Sequence, residues 1–233
     1  MRYLGLICAR GGSKGVKDKN IRLVGDKPLI GISIEIAKKI KKITRILVST
    51  DSKSIAKVGE KYGAEVPFIR PASLSQDDSP EWLVWRHAIE YLESLGEIFD
   101  GLVVLPPTAP LKTKKDILGC IHEYEVGNYD VVITASQCHR NPYFNMVERK
   151  NSGDISLVMD REKKFNRRQD SPEVFDMTTV AYVVNPEFIK EKNGIFEGKI
   201  GMVEIPVERS IDIDTELDLK IANFLFNEYV NYE

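Results

Sequence analysis

Short apolar runs of β-forming residues alternate along this chain with longer stretches of helical period, and that alternation leaves few architectures open. Residues 3–9, 43–50, 64–69, 101–105 and 130–135 read as strands. Leu102-Val103-Val104-Leu105 is apolar at every position, as a central parallel strand buried on both faces requires. Between these runs, residues 80–95 form the clearest helix. Ser79 is placed to cap it, Pro80 suits its first position, and Trp82, Trp85, Ile89, Leu92 and Leu95 fall on one stripe. The two tryptophans are therefore expected in the core. Residues 28–42 carry both periods, since Ile30, Ile32, Ile34 and Ile36 alternate as in a strand while Leu29, Ala37 and Ile40 complete a helical face; the length favours a helix. Strands alternating with helices predict an α/β fold with a mainly parallel sheet.

The 233 residues suit one domain, spanning 1–233, with an insertion. The pattern changes over residues 140–185. Residues 143–148, 155–159 and 178–185 look like shorter strands joined by the polar stretch 160–172, a small antiparallel excursion from the main sheet. The chain returns through residues 201–206 to a last helix at 215–230.

Lys and Arg number 33 against 35 Asp and Glu, a net charge of −2, which argues against a general nucleic-acid binder. The sum hides a segregation. Residues 1–20 carry Arg2, Arg10, Lys14, Lys17 and Lys19 against Asp18, whereas residues 204–218 carry Glu204, Glu208, Asp212, Asp214, Glu216 and Asp218 against Arg209. Cys8, Cys120 and Cys138 are widely spaced, which disfavours a disulfide scaffold or a zinc cage, and Cys8 reads as a small core residue. With no signal-peptide pattern and no run of 18 apolar residues, a reduced cytoplasmic protein without membrane attachment is expected.

Three constellations could carry chemistry. Arg10-Gly11-Gly12-Ser13-Lys14-Gly15 directly follows the first strand; its glycines let backbone N–H groups approach an anion, and Arg10 and Lys14 supply charge. It is neither a Walker A loop nor G-x-G-x-x-G, and a solvated turn is the plain alternative. Ile211-Asp212-Ile213-Asp214, read as a strand, points both carboxylates to one side, where a divalent cation would relieve their repulsion. The plain alternative is that Asp214 or Thr215 caps the last helix. The third is the basic run from Arg161 through Lys163, Lys164 and Arg167 to Arg168, a solvated loop or a seat for an anion. His87, His122 and His139 organise no site, and no G-x-S-x-G supports serine chemistry.

In order along the chain, these pieces resemble one family. Cys8-Ala9-Arg10-Gly11-Gly12-Ser13-Lys14-Gly15 with Lys19-Asn20, then Val48-Ser49-Thr50-Asp51, Arg70-Pro71-Ala72 with Leu74 and Asp77, Pro107-Thr108-Ala109-Pro110-Leu111, Arg168-Gln169-Asp170 and residues 210–218 resemble the motifs of the CMP-sialic acid synthetases, the acylneuraminate cytidylyltransferases. The likeness runs from about residue 3 to residue 226. It implies a Rossmann-like nucleotidyltransferase fold and transfer of CMP from CTP to the anomeric hydroxyl of a nonulosonic acid, with release of pyrophosphate. It implies that Ala9, Arg10, Gly11, Gly12, Ser13, Lys14, Asn20, Arg70 and Asp77 bind the nucleotide, with Arg10, Lys14, Lys19 and Asp214 catalytic. Asp214 and then Asp212 would hold Mg2+ (or Mn2+). Asn141, Tyr143, Asn145, Arg168, Gln169 and Tyr182 would form the sugar side, and the excursion would pair two subunits of a homodimer.

The sequence departs from the family at Pro106, where glutamine is frequent, at Glu81, where serine is common, and at Lys112, where arginine is usual. Asp176-Met177-Thr178-Thr179 and Arg140-Asn141-Pro142-Tyr143-Phe144-Asn145 look more like the versions in bacterial legionaminic acid enzymes. The rival readings are a cytidylyltransferase for an eight-carbon acid such as Kdo, and a silent relative that kept the fold.

Overall fold

A computed structural model describes residues 1–159, 165 and 167–230. In chain order the elements are β1 (Tyr3–Cys8), β2 (Leu23–Val24), β3 (Lys27–Pro28), α1 (Leu29–Lys38), β4 (Ile43–Ser49), α2 (Lys53–Tyr62), α3 (Glu81–Ser94), β5 (Gly101–Val104), α4 (Lys114–Gly127), β6 (Val131–Gln137), β7 (Val147–Arg149), β8 (Ile155–Leu157), β9 (Phe175–Val184), α5 (Pro186–Glu191), β10 (Ile200–Glu204) and α6 (Glu216–Val230). The main sheet runs β10-β6-β9-β5-β1-β4. β1 pairs in parallel with both β4 and β5, and β6 with β10. The predicted mainly parallel α/β class is what forms.

Its core has two sides. Helices α1, α4 and α6 cover one with Ile30, Ile34, Ile117, Ile121 and Leu219, while α3 covers the other. Trp82 and Trp85 are buried there with ring centroids 5.3 Å apart, and Trp85 stacks at a tilt on Tyr182 at 5.4 Å. The expectation of core tryptophans holds, as does a helix over most of residues 28–42.

Several boundaries differ for physical reasons. Residues 64–69 form only isolated bridges, Leu47 to Glu65 and Thr50 to Ile69, because Pro67 lacks the N–H that a continuing ladder needs. Ser79 does not cap α3; Pro80 occupies the cap position, and the Ser79 hydroxyl donates instead to the Ser73 carbonyl at 3.1 Å. Leu95 lies past the end of α3 and is exposed.

The larger correction concerns the excursion. Only β7 and β8 stand apart, as a small hairpin. The third expected strand of the excursion is part of β9, which lies in the middle of the main sheet, antiparallel to β5 and β6. Val180, Ala181, Tyr182, Val183 and Val184 are all buried, a two-faced apolar run suited to a central strand. The pairing of β9 with β6 is interrupted between Ile133 opposite Tyr182 and Thr134 opposite Thr178, so residues 179–181 bulge out of register. Buried Thr134 holds the bulge. Its hydroxyl accepts from the Ala181 N–H at 3.2 Å and from the Thr178 hydroxyl at 2.8 Å.

Candidate active site

The basic loop leaves β1 at the C-terminal edge of the sheet, beside the ends of β4 and β5, where open α/β sheets place ligands. Local contacts explain its shape. Buried Ala9 donates its N–H to the Ser49 carbonyl at 3.0 Å, the Gly11 N–H donates to Asp51 Oδ1 at 2.7 Å, and Asn20 Nδ2 donates to the Arg10 carbonyl at 2.9 Å. Gly12 turns through a φ of 69°, a left-handed conformation that favours glycine.

The loop forms one side of a cavity of about 420 Å³, to which Arg10, Ser13, Lys14, Gly15, Lys19 and Asn20 contribute. Arg70, Leu74, Gln76, Asp77, Ser79, Glu81 and Val84 line it as well, together with Pro106, Pro107, Thr108 and Thr179. The sequence reading of a ligand loop thus meets a real concavity. Arg10 Nη1 binds Asp77 Oδ1 at 2.5 Å, and Lys14 Nζ binds the other oxygen of the same carboxylate. These two cations hold the Asp77 carboxyl below the usual carboxylate range. Arg70 is buried, with Nε donating to the Ser49 hydroxyl at 3.1 Å and Nη2 to the Ser49 carbonyl.

The acidic segment meets this loop from the other end of the chain. It is not the strand expected from its alternation, because residues 210–214 run without regular pairing. Ile213 is fully buried, which contributes roughly 1.5–3 kcal/mol, and its N–H donates to the Thr108 carbonyl at 2.9 Å. Upstream, Arg209 clamps buried Asp116 at the start of α4 through Nε at 3.1 Å and Nη2 at 2.7 Å. The segment is thereby fixed at both points.

Its two aspartates occupy unlike settings. Asp214 is exposed and binds Lys19 at 2.9 Å, and Lys19 Nζ also donates to the Ile213 carbonyl at 2.6 Å. Asp212 is turned inward, and its Oδ1 is buried without a hydrogen-bond partner among the described residues. The capping alternative belongs to Thr215, whose hydroxyl and N–H donate to Asp218 Oδ2, each at 2.7 Å, leaving the Asp214 carboxylate for other work.

A further ionisable group contacts the cavity residue Pro106. Lys112 is buried, donates to the Pro106 carbonyl and to the Ser33 hydroxyl at 3.2 Å, and has its pKa pushed down to about 7 by that burial. Glu81 opens α3 at the cavity wall. Solvent reaches it, yet protein crowds its carboxyl and raises the pKa, while the nearby Arg70 charge pulls the other way.

The expected sugar-side residues do not gather in the same place. Asn141, Arg168 and Gln169 line a second cavity of about 390 Å³ with Gln137 and Glu173. Asn141 and Asn145 brace the turn between β6 and β7: Asn145 Oδ1 accepts from the Asn141 N–H at 2.8 Å, and Asn141 Oδ1 accepts from the Tyr143 N–H at 2.9 Å. Arg168 donates to the Cys138 carbonyl. Tyr182 lines neither cavity and sits in the core against Trp85. Arg161, Lys163 and Lys164 of the basic run lie outside the described residues. Cys8, expected in the core, is half-buried and faces the first cavity, and all three cysteines are free thiols. Among the described residues, no helix is long and apolar enough to cross a membrane.

Sequence reasoning missed Thr179 as a cavity residue. The β9 bulge aims it at Thr108, whose hydroxyl donates to that of Thr179 at 3.3 Å. Nothing in a local pattern announces such a bulge.

A family model described as Cytidylyltransferase matches residues 4–222, nearly the whole chain. The chain belongs to the cytidylyltransferase family. Within that family it is 39% identical to the post-translational flagellin modification protein B of Campylobacter coli, over 95% of this chain and 94% of the relative. It is 38% identical to a CMP-N,N'-diacetyllegionaminic acid synthase of Campylobacter jejuni, over 95% and 93%. A pseudaminic acid cytidylyltransferase of the same species is 32% identical over 100% and 99%. Among solved structures, a CMP:2-keto-3-deoxy-manno-octonic acid synthetase complexed with CTP superposes with a TM-score of 0.72 at 14% identity, covering 98% of this chain and 100% of that one. At that identity the likeness speaks for the nucleotidyltransferase fold alone.

Proposed function

We propose that this cytidylyltransferase transfers CMP from CTP to the anomeric hydroxyl of a nonulosonic acid of the legionaminic type, releasing pyrophosphate. The observation that carries the reading is the meeting, in one cavity, of the basic loop with the acidic segment, in a chain 38% identical to a CMP-N,N'-diacetyllegionaminic acid synthase and 32% identical to a pseudaminic acid cytidylyltransferase. Transfer of a nucleotidyl group needs positioned reactants and neutralised charge more than a protein nucleophile. Arg10, Ser13 and Lys14, with the open backbone of Gly11 and Gly12, are suited to a triphosphate, and Arg10 and Lys14 already hold a carboxylate there. The sugar hydroxyl gives its proton to solvent, and its oxygen forms a new bond to the α-phosphorus as the bond from that phosphorus to the bridging oxygen of the leaving pyrophosphate breaks. Lys19, seated between Asp214 and the Ile213 carbonyl, adds a fixed positive charge beside that step.

The donor set suits Mg2+, or Mn2+ in its place. Mg2+ takes one or two carboxylates together with substrate phosphates and water, and the buried Oδ1 of Asp212, without a hydrogen-bond partner among the described residues, is an oxygen open to such an ion. Among the described residues no three His, Cys, Asp or Glu side chains form a metal cluster, which fits a cation shared with the nucleotide better than a protein-only cage. When bound by Asp212 and Asp214, the ion supplies charge neutralisation at the phosphates and favours ionisation of the sugar hydroxyl.

The separation of the Arg168 cavity from the nucleotide cavity supports a homodimer, in which a second copy brings sugar-binding groups to the first site. The function is tested by following pyrophosphate release with CTP and Mg2+ against N-acetylneuraminic, legionaminic, pseudaminic, Kdn and Kdo acids. Release with a nine-carbon acid, fastest with legionaminic acid, is expected. Release with Kdo alone makes the enzyme an eight-carbon acid transferase, and release with none leaves a silent relative.

A further inference from the structure

The two ties that flank Asp212 land on one stretch of chain. Ile213 donates its N–H to the Thr108 carbonyl, in the connection that leads into α4, and Arg209 reaches Asp116 in the first turn of that helix. Asp116 is buried and its carboxylate is committed to the fold. Oδ2 accepts from the Thr113 N–H at 2.8 Å, the Thr113 hydroxyl at 2.9 Å and Arg209 Nε at 3.1 Å, and Oδ1 accepts from Arg209 Nη2 at 2.7 Å. The Thr113 contacts are the capping box of α4, so the far end of the clamp is as fixed as the helix. Upstream, the next anchor is buried Ile205, whose N–H donates to the Ala135 carbonyl at 2.7 Å. From there the backbone turns on itself, the Arg209 N–H donating to the Pro206 carbonyl at 2.9 Å and the Ser210 N–H to that of Val207 at 3.1 Å, with the Val207 side chain exposed. The Arg209 fork fastens this turn to α4. An unmet buried oxygen is costly, and a loose segment would relieve the cost by swinging Asp212 out to water. One tie on each side of Asp212 opposes that swing.

We propose that Arg209 is a positioning residue for the divalent cation: its fork on Asp116, together with the Ile213 tie, keeps the Asp212 carboxylate turned inward before the ion arrives. The ion then meets a preformed ligand, and little of its binding energy goes into ordering the segment. Arginine suits the task. Its planar guanidinium gives one carboxylate two N–H bonds at once, which fixes orientation as well as position, whereas a lysine ammonium is a point charge on a flexible stem. Groups that orient a metal ligand from behind commonly carry tenfold or more in metal affinity, to the order of magnitude of about 10- to 100-fold.

Arg209 can act in this way only if the transfer proposed above uses CTP with a divalent cation, and the test keeps the two readings apart. CTP binding is measured by calorimetry with and without Mg2+ for the wild type, Arg209→Lys, Arg209→Gln, Asp116→Asn and the double variant Arg209→Gln/Asp116→Asn, with thermal unfolding recorded for each. The quantity read is the gain in CTP affinity that Mg2+ brings. Arg209→Gln should lower that gain by about tenfold and leave the Mg2+-free affinity unchanged. Arg209→Lys, which keeps the charge without the fork, should lose part of it. Asp116→Asn should match Arg209→Gln, and the double variant should lose no more than either single one, because the pair acts as a unit. A clamp that serves the fold alone lowers the Tm and leaves the gain intact. That result in folded Arg209→Gln, equal weakening of CTP with and without Mg2+, or fully additive losses in the double variant overturns the role of Arg209. If Arg209→Gln fails to fold, Arg209→Lys decides, and an undiminished gain there overturns the proposal. A wild type that binds CTP with no gain from Mg2+ overturns the metal assignment and this role with it, whereas one that binds no CTP overturns the function itself.

Discussion

Gly15 and Asp214 touch through their backbones: a Cβ built on Gly15 would lie 2.0 Å from the Asp214 carbonyl oxygen. Only a residue without a side chain lets the basic loop and the acidic segment close on each other there. Gly15→Ala must push one of the two away, and because the obstacle is backbone the cost is expected to exceed about 2 kcal/mol. Thermal unfolding and pyrophosphate release should both fall. A variant with wild-type activity and transition would mean that the two segments tolerate separation.

Asp212 and Asp214 share a proposed metal but not an environment. Asp214→Asn leaves Lys19 its Ile213 carbonyl partner and should preserve the fold while cutting turnover by about a hundredfold. Asp212→Asn places an amide where a buried oxygen lacks a partner, and should also raise the Mg2+ concentration needed for half-maximal rate. Full rates with unchanged Mg2+ dependence in both variants would remove the metal from these residues.

Asp77 occupies Arg10 and Lys14, the two cations proposed to hold the triphosphate. Its pKa is lowered mainly by its hydrogen bond to Lys14 and then by that to Arg10, so as pH falls the pair is lost at a lower pH than an unpaired aspartate would titrate. Asp77→Asn should tighten pyrophosphate binding about two- to fivefold, with the gain shrinking as salt rises. Weaker binding in this variant would mean that Asp77 itself contacts the nucleotide.

Lys112 makes a prediction about pH. Burial lowers its pKa from 10.5 to about 7, so between those values the unfolded chain holds a proton that the folded chain has released. Stability should therefore rise with pH from about 7 towards 9.5, by at most about 1.4 kcal/mol per pH unit. Below 7 the cost of burying the charge is fully present and the curve flattens. Urea unfolding at pH 7, 8 and 9 should show that slope in the wild type and a flatter one in Lys112→Met. Parallel slopes would place the titration elsewhere.

What could be read from the residues followed how local the physics was. β1, β5, α3 and the glycine loop announce themselves because apolar period, capping position and glycine chemistry act within a few residues. The two aspartates were legible as a pair, but not their opposite settings, because Ile213 is anchored by Thr108 and Lys19 reaches Asp214 from 195 residues away. β9 read as part of an excursion because an antiparallel strand inserted into a parallel sheet carries the same apolar pattern as a hairpin strand. Tyr182 followed from motif position to the sugar side, but the alternation of β9 turns it into the core, while the bulge held by Thr134 brings Thr179 to the cavity instead.

The contact between Lys19 and Asp214 also orders events during synthesis. At about 5–20 residues per second, the glycine loop waits roughly 10–40 s on the ribosome before its acidic partner is made. β9 and the last helix are likewise late arrivals, so an unfinished chain presents the loop without the carboxylates that complete the cavity. Nucleotide chemistry is thus confined to chains translated almost to their final helix, and a product truncated before Asp212 and Asp214 should not consume CTP.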